Sequence, residues 1–376
     1  MKSLIGADLV PTSSNAAFFE KGDAAALVDE EVLRHLRSAD YRIFNLEVPL
    51  TDTVSPITKC GPALIAGTDT IAGYTALGVD LLTLANNHIM DQGTQGLAST
   101  IQTLKDGKIA YVGAGNNLKE ALKPLIIQHN GQKIGVYACA EHEFSIAQEG
   151  VPGANPFDPL ESLDHVAALK ESCDYVIVLY HGGKEHYRYP SPNLQKACRK
   201  LVEKGADLVV CQHSHCIGCE EKYLGGTIVY GQGNFLFDRS DSEYWQTSLL
   251  IEIDDDWHIS YIPLAKHENA VHLANSTQAK EILDAFTSRS EEIRETGMVE
   301  RKYTEFAQSM IDNYLLSLSG IRRGFFLRAL NKLSGYRLMP WLIKRRYTSA
   351  QLLAIRNFIE CEAHRELLLK GIQTQK

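Results

Sequence analysis

The chain has 376 residues, of which 44% are hydrophobic and 22% are charged, and its formal charge is −8. This length provides one large domain or two ordinary ones, and the composition is typical of a globular protein. The acidic balance argues against a general nucleic-acid-binding protein, so we predict no nucleic-acid partner.

The amino terminus has no apolar signal region, and no run in the sequence approaches the roughly 18 apolar residues of a membrane span. These features predict a soluble, cytoplasmic protein. The eight cysteines are more typical of free thiols than of a disulfide framework in that compartment.

Short apolar runs alternate with helical patterns along the first two thirds of the chain, which predicts a layered α/β domain. The predicted strands are residues 3–8, 41–46, 80–85, 110–113, 124–128, 133–138, 174–180, 207–211, 221–224, 227–230, 245–253 and 258–262. The predicted helices are residues 29–38, 69–77, 94–105 and 193–204. Strand pairs joined at Asn130-Gly131 and Gly225-Gly226 are interpreted as hairpins, and residues 231–235 as a tight turn.

The sequence changes to a mostly helical pattern near residue 270, which predicts an α/β domain at 1–270 and a helical, basic subdomain at 271–376. The stretch 321–347 interleaves basic residues with aromatic and aliphatic ones. One interpretation is a surface that associates peripherally with a membrane, an anionic polymer or a polymer-synthesis complex. The interpretation that we favour is a subdomain packing its apolar face on the α/β core, with a solvated basic face.

The loop from Leu84 to Gly93 follows an apolar strand and carries polar side chains. Open α/β folds keep their sites at the carboxyl edge of the sheet, where such a loop lies. Asn87 offers a carbonyl oxygen to a metal ion, and His88 can move a proton. Asp91 is close enough in the turn to orient His88.

Other predicted strands also end on side chains that bind metal ions. The full set is Asp8, Glu47, Asn87, His181, His213 and His215. One such residue is common by chance, but six at the ends of five strands indicate a metal site. Their oxygen and imidazole ligands suit Mn²⁺, Fe or Zn²⁺ better than Ca²⁺. His213 and His215, two apart on an extended segment, are predicted to point to the same side and bind metal together.

Several motifs resemble those of the CapA family of capsule and poly-γ-glutamate biosynthesis proteins, within the calcineurin-like metallophosphatase superfamily. They occur in the family's order and cover roughly residues 4–240. The motifs are Gly6-Ala7-Asp8, Asn45-Leu46-Glu47-Val48-Pro49-Leu50-Thr51, Ala85-Asn86-Asn87-His88-Ile89-Met90-Asp91-Gln92-Gly93, Gly113-Ala114-Gly115, His181-Gly182-Gly183 with Glu185, Gly205-Ala206-Asp207, Gln212-His213-Ser214-His215 and Tyr230-Gly231-Gln232-Gly233-Asn234-Phe235.

The resemblance implies a four-layer α/β/β/α metallophosphatase-like sandwich, with one or two divalent ions at the sheet edges and a helical carboxyl-terminal extension. By position in the motifs, Asp8 would bind one metal and Glu47 would bridge two. The ligands implied to complete one site are Asn87, His181 and His213, and His215 would serve the other. The resemblance also implies that His88 is the catalytic histidine and Asp91 its dyad partner.

Three features depart from the family's pattern. Val10 stands two residues after the first aspartate, where many metallophosphatases carry a histidine, and Ala7 lies between Gly6 and Asp8. Capsule-synthesis members often have an amino-terminal membrane anchor, which this sequence does not show.

Substrate contacts are predicted at four positions, which are Asn45, Lys59, Glu185 and Asn234. Lys59 would bind an anionic group, although a solvated loop lysine is the competing interpretation. His142 and Glu143 follow a strand and are further candidates to line the cleft. Cysteines around the last two histidines leave a structural zinc site as another interpretation, but plain buried cysteines fit better. These are Cys211, Cys216 and Cys219.

The resulting hypothesis is a metal-dependent hydrolase of phosphoesterase type, associated with biosynthesis of a capsule-like, poly-γ-glutamate or other anionic surface polymer. Water activated between metal ions would attack phosphorus, while His88 protonates the leaving group and Asp91 fixes its tautomer. The predicted partners are a phosphoester substrate or the anionic polymer. Two alternatives stay open: a non-catalytic metal-binding component of a polymer-assembly complex, and a γ-glutamyl amide hydrolase that uses the same centre.

Overall fold

A computed structural model describes residues 1–237, 241–268, 270–319 and 325–374. The strands are β1 (Ser3–Leu9), β2 (Tyr41–Asn45), β3 (Leu81–Thr83), β4 (Ala110–Val112), β5 (Ala114–Gly115), β6 (Leu125–His129), β7 (Gln132–Ala140), β8 (Gly153–Ala154), β9 (Tyr175–His181), β10 (Leu208–Gln212), β11 (Glu220–Tyr223), β12 (Gly226–Tyr230), β13 (Asn234–Leu236), β14 (Thr247–Ile253), β15 (Ile259–His267) and β16 (Ala270–Leu273).

The helices are α1 (Ala16–Glu20), α2 (Ala24–Leu27), α3 (Glu30–Ser38), α4 (Ile71–Ala76), α5 (Gly93–Asp106), α6 (Leu118–Ala121), α7 (Ser162–Ser172), α8 (Pro192–Glu203), α9 (Ser276–Glu292), α10 (Met298–Leu318), α11 (Phe325–Leu333), α12 (Leu338–Arg346), α13 (Ser349–Glu360) and α14 (Glu362–Gln373). Short 3₁₀ helices cover Thr68–Thr70 and Glu243–Trp245. Each described helix is too short or too polar to cross a membrane.

The strands form two large sheets and one small pair, β5 with β8. The first sheet has the order β16-β15-β14-β1-β2-β3-β4, with β13 also paired to β1, and the second has the order β11-β12-β10-β9-β7-β6. In the first sheet β1 to β4 run parallel, and in the second β7, β9, β10 and β12 run parallel. The carboxyl ends of parallel strands gather at one edge, so each sheet presents its loops there.

The two sheets pack face to face through one buried apolar cluster. It joins side chains of the first sheet to side chains of the second, among them Ile5, Ile43 and Ile251 with Val136, Leu179 and Val210. Alternate residues of the same strands point the other way, toward helices. On the first sheet they include Leu4 and Phe44 beside Leu33 and Leu97, and on the second Tyr137 and Val178 beside Leu169 and Leu201. These layers are the predicted α/β/β/α sandwich, which is confirmed.

The structure differs from the predicted elements in three respects. Strands β5, β8 and β16 are not predicted from the sequence. The predicted turn at 231–235 contains the start of β13, because Asn234 pairs in parallel with Asp8 of β1. The sequence also misses four helices, α1, α2, α6 and α7. Three of them have only four or five residues, and α7 buries just Ser162, Val166 and Leu169, so its helical period is weak.

Packing divides the chain into two units, Met1–Glu300 and Arg301–Lys376. Helix α9 belongs to the first unit, because Phe286 packs beside Ile217 and Leu249. The helical pattern that begins near residue 270 therefore precedes the division between the units. The second unit is helical and has a small cluster of its own, formed by Leu315, Leu316 and Ile343.

We predict that Gly6→Ala lowers the free energy of unfolding. A Cβ atom at Gly6 would lie 2.0 Å from Cε1 of Phe44, a fully buried ring that packs edge-on against Phe235. Forced overpacking costs about 1–3 kcal/mol. Urea unfolding of Gly6→Ala, Phe44→Leu and the double variant measures this. The double variant should lose less than the two single losses added together, and equal midpoints for Gly6→Ala and the wild type would contradict the prediction.

Candidate metal centre

The predicted ligands meet where the carboxyl ends of the two sheets come together. Asp8 in β1 and Glu47 after β2 come from the first sheet, and Asn87 follows β3. His181 ends β9 and His213 follows β10, both in the second sheet. Because the sheets face each other, oxygen ligands from one meet imidazoles from the other.

Two groups of side chains have ligand atoms that all lie within 4.8 Å of one another. One group is Glu47, His181 and His213, and the other is Asp8, Glu47 and His215. Glu47 belongs to both groups, as expected of a carboxylate that bridges two ions. Asn87 adjoins the first group, since its Oδ1 lies 3.0 Å from Nε2 of His181.

The buried oxygens of these carboxylates fit a metal ion. Glu47 is fully buried, and neither of its carboxylate oxygens has a hydrogen-bond partner. Oδ2 of Asp8 is likewise buried without a hydrogen bond, and it lies 3.3 Å from Nδ1 of His215. Buried charges are ordinarily paired or bound to metal, because desolvation is costly. Divalent cations would satisfy these atoms, and the mixed oxygen and nitrogen donors suit such ions.

The pKa shifts of the first group follow from burial. Burial, and then the charge of Asp8, raise the pKa of Glu47 to about 8. Burial lowers the pKa of His181 to about 3, and it also lowers the pKa of His213. Both imidazoles are therefore neutral, which is the form that binds metal. Nδ1 of His213 lies 3.1 Å from Nε2 of His181, so the two ring nitrogens converge.

The second group contains a charged pair. Burial acts to raise the pKa of Asp8, but the imidazole of His215 3.3 Å away and the charge of His181 outweigh it, and the pKa falls below its ordinary value. Burial acts to lower the pKa of His215, but Asp8 and Glu47 outweigh it and raise the pKa to about 9. A cation bound on this side would therefore displace a proton from His215.

His213 and His215 do not lie on an extended segment, and that prediction is wrong. Both adopt left-handed backbone conformations, with φ of 88° and 53°. Such conformations cost of order 1–3 kcal/mol each in a residue with a side chain and cluster at functional sites. The turn separates the two imidazoles, so His213 joins His181 while His215 faces Asp8.

Hydrogen bonds between asparagines hold the oxygen ligands in place. Nδ2 of Asn45 donates to Oδ1 of Asp8 at 2.7 Å. Nδ2 of Asn86 donates to Oδ1 of Asn45 at 3.2 Å and to the Leu46 carbonyl at 2.8 Å. Oδ1 of Asn86 accepts from the backbone of His88 at 3.2 Å. Asn86 therefore links the ends of β2 and β3.

The amide of Asn87 is oriented by a loop of the second sheet. Its Nδ2 donates to Oε2 of Glu143 at 3.0 Å, which leaves Oδ1 directed to His181. Its backbone carbonyl accepts from Oγ of Ser145 at 2.7 Å. Glu143 is one of the predicted cleft-lining candidates, whereas Ser145 is not predicted from the sequence, because the loop after β7 has no periodic pattern.

His88, Asp91 and Lys59 form one hydrogen-bonded network. Oδ2 of Asp91 lies 2.6 Å from Nδ1 of His88, and the same oxygen accepts from the backbone of Leu64 at 2.6 Å. Oδ1 of Asp91 accepts from Nζ of Lys59 at 2.6 Å. The Lys59 side chain is only 3% exposed, so it is not the solvated loop lysine of the competing interpretation. The pairing of His88 with Asp91 has the predicted geometry.

The remaining predicted substrate residues have different surroundings. Oδ1 of Asn234 lies 2.8 Å from Nδ1 of His215, and Asn45 is bonded to Asp8, so each contacts a predicted metal ligand directly. Glu185 is exposed on the loop after β9, and its charge acts on Glu47 and His213. Their contact with substrate stays a prediction.

Val10 and the cysteines lie outside the centre. The Val10 side chain is buried in the apolar cluster between the first sheet and its helices. Cys211, Cys216 and Cys219 are buried free thiols. Within the described residues, neither group of potential ligands includes a cysteine. The arrangement agrees with buried structural cysteines rather than a thiolate zinc site.

Comparison with known proteins gives a family match across the α/β part of the chain. The model of the bacterial capsule synthesis protein family, PGA_cap, matches residues 8–239. The capsule biosynthesis protein CapA of Bacillus anthracis is 32% identical over 222 residues, which is 56% of this chain and 54% of that protein. The PGA biosynthesis protein CapA of Bacillus subtilis is 33% identical over 207 residues, 54% of each chain.

The chain thus spans about half the length of these two relatives. Among solved structures, a phosphatase from Mycoplasma pneumoniae is 15% identical, with a TM-score of 0.44 over 71% of this chain and 94% of that chain. The family match covers every predicted metal ligand, from Asp8 to His215.

We predict that Glu47→Gln stabilises the metal-free protein yet abolishes its stabilisation by metal. The substitution removes an unsatisfied buried carboxylate, a penalty of about 1–3 kcal/mol. Because the pKa of Glu47 is raised to about 8 in the folded protein, the wild type loses stability as pH rises from the ordinary carboxyl pKa through 8. The advantage of the variant should therefore be larger at pH 8 than at pH 5.

Thermal unfolding with chelator and with added Mn²⁺ or Zn²⁺ measures both effects. Glu171→Gln, an exposed change on α7, serves as the matched control and should behave as wild type at either pH. If metal raised the melting temperature of Glu47→Gln as much as that of the wild type, Glu47 would not be a shared ligand.

Proposed function

The chain belongs to the bacterial capsule synthesis protein family, and we propose that it is a metal-dependent hydrolase of phosphoester type. Its role would lie in biosynthesis of a capsule-like, poly-γ-glutamate or other anionic surface polymer. The observation that carries the proposal is the His88–Asp91 pair next to the potential ligand Asn87. Oδ2 of Asp91 lies 2.6 Å from Nδ1 of His88, and Oδ1 of the adjacent Asn87 lies 3.0 Å from Nε2 of His181.

One or two divalent ions, Mn²⁺, Fe or Zn²⁺, fit the centre. The residues that would hold them are Asp8, Glu47, Asn87, His181, His213 and His215. A bound ion supplies Lewis acidity, which draws charge from phosphoryl oxygens and acidifies water. Because Glu47 belongs to both groups, loss of this one residue would weaken either site.

His88 is the residue proposed to transfer a proton. Asp91 engages Nδ1 of His88, which fixes the tautomer and leaves Nε2 as the atom that gives or takes a proton. His88 is 14% exposed, so a substrate can reach the ring from solvent. We propose that Nε2 protonates the departing oxygen of the ester, a contribution typically worth about 10²–10⁴ in rate.

The substrate is proposed to be an anionic phosphoester or a polymer that carries one. Lys59, Asn45 and Asn234 already bond to residues of the centre, so they would act on the substrate by fixing its neighbours. Glu185 is the exposed member of the predicted set and would contact substrate groups at the rim.

The name of the Bacillus subtilis relative, a PGA biosynthesis protein, favours a second candidate. In that case the same centre would cleave the amide bond of a γ-glutamyl polymer. A non-catalytic role in polymer assembly is the third candidate, favoured by Val10, which leaves the Asp8 side one histidine short of the usual metallophosphatase set. The second and third candidates both keep the predicted metal ligands. Only the third has no need of the His88–Asp91 pair, because it involves no proton transfer.

We predict that His88→Asn reduces kcat by about 10²–10⁴ while metal binding stays at the wild-type stoichiometry. Asparagine keeps a polar side chain but cannot transfer the proton. Turnover is measured with added Mn²⁺ on a phosphomonoester, a phosphodiester and a γ-glutamyl amide, all as p-nitrophenyl or p-nitroanilide derivatives. Metal content is measured on the same samples by mass spectrometry.

His258→Asn is the matched control, because that side chain is 78% exposed in the turn between β14 and β15. It should retain full activity. Turnover of the amide alone would move the proposal to the second candidate. Metal-loaded wild type that turns over none of the substrates, with His88→Asn indistinguishable from it, would favour the non-catalytic role.

A further inference from the structure

The charge of the chain is segregated to an unusual degree. The whole chain carries a formal charge of −8, yet no acidic residue occurs between Asp312 and Glu360. The same stretch has nine basic residues, which are Arg322, Arg323, Arg328, Lys332, Arg337, Lys344, Arg345, Arg346 and Arg356. Arg322 and Arg323 lie outside the described residues. The rest of the protein is therefore strongly acidic, and the basic stretch defines one cationic region.

The helices of this region bury one apolar face among themselves. Leu315 and Leu316 of α10 pack with Ile343 of α12, and Met339 and Tyr347 border that cluster. The Tyr347 hydroxyl donates to the Leu315 carbonyl at 2.8 Å, which fixes the end of α12 on α10. These contacts settle which side of α12 faces inward.

Other large apolar residues of α11 and α12, and of the turn between them, point to solvent. Leu330 is 53% exposed, Leu333 84%, Tyr336 65% and Trp341 52%. Exposed basic side chains flank them, namely Lys332, Arg337, Lys344, Arg345 and Arg346. The Arg345 guanidinium lies over the Trp341 ring, 5.1 Å from its centroid. We call these nine residues the basic apolar surface.

We infer that the basic apolar surface docks on an anionic membrane, which is the interpretation of this stretch that the sequence alone did not favour. Tryptophan and tyrosine favour the level of the lipid headgroups, where their rings are partly apolar and partly polar. Leucines beside them enter the acyl boundary, and flanking lysines and arginines pair with anionic lipids. The surface combines all three kinds of group on neighbouring helices. The inference does not depend on the metal centre or on the proposed hydrolysis.

Charge and apolarity together favour a membrane over two other occupants. A second copy that docked through the same surface would bring its cationic region against that of the first, and the like charges would repel. A soluble polyanion would pair with the basic residues but would leave Leu333, Tyr336 and Trp341 in water. An anionic bilayer satisfies both the charges and the apolar side chains.

Co-sedimentation with vesicles tests the inference on the full-length protein. Binding to phosphatidylglycerol–phosphatidylcholine vesicles should be strong, and binding to pure phosphatidylcholine weak. The triple variant Lys344→Gln, Arg345→Gln, Arg346→Gln should bind roughly 100-fold more weakly, since each basic residue near an anionic surface contributes about fivefold. A higher salt concentration should also weaken the binding of the wild type to anionic vesicles.

A matched control replaces three exposed lysines of the first unit, Lys105, Lys119 and Lys123, by glutamine. It should bind vesicles as the wild type does. If both triple variants lost vesicle binding equally, binding would depend on the net charge of the protein alone, and the inference would be overturned.

Tryptophan emission separates a membrane from the other occupants. Emission should shift to shorter wavelength on vesicle binding, and Trp341→Phe should lose that shift. Soluble poly-γ-glutamate should not produce the shift. It should also not displace the protein from vesicles when polymer and lipid supply the same concentration of negative charge. Tight polyanion binding without vesicle binding would overturn the inference. So would a stable dimer in solution that Trp341→Ala dissociates, because the surface would then be covered by a second copy.

Discussion

A carboxylate buried without a donor is the constraint on which the rest of the site depends. Glu47 is fully buried, and neither oxygen receives a hydrogen bond. Nε2 of His181 stands 3.3 Å from its Oε1. A protein that only needed to fold would replace such a group, since an apolar residue of similar volume is often as stable or more so. The sandwich keeps Glu47 where its strands converge, and a cation held by the two groups of potential ligands would offset the cost of burying it.

The position of Glu47 follows from how the two sheets meet. Apolar residues such as Ile43 and Leu179 set the distance between the sheets, and the parallel strands then deliver their ends to one place. The residues at the carboxyl end of each strand are held by polar contacts rather than by the apolar core. Asn45 holds Asp8, and Asn234 holds His215. The potential ligands are thus pre-organised by hydrogen bonds, in the way that residues around metal sites commonly orient the ligands.

Sequence alone predicts much of this arrangement, because strand ends obey a local rule. Apolar runs that stop at Asp8, His181 or His213 predict where ligands gather, without knowledge of how the sheets pack. Contacts made by irregular loops could not be predicted in the same way. Glu143 reaches Asn87 from a loop that has no period, and the short strand β13 exists only because β1 lies beside it. The left-handed turns at His213 and His215 run against local preference, so an extended segment was the natural but wrong expectation.

Lys59 shows how such a loop alters the chemistry that sequence motifs suggest. A histidine paired with an isolated aspartate would face a full negative charge, but here Nζ of Lys59 lies 2.6 Å from Oδ1 of Asp91 and 3.3 Å from Nδ1 of His88, so its positive charge offsets that of the carboxylate. Asp91 also fixes the loop itself, through the backbone of Leu64 and, by its own carbonyl, the backbone of Ile57. One buried carboxylate thus both orients His88 and holds the loop that carries Lys59. The His88–Asp91 pair and the loop over it therefore form one structural unit.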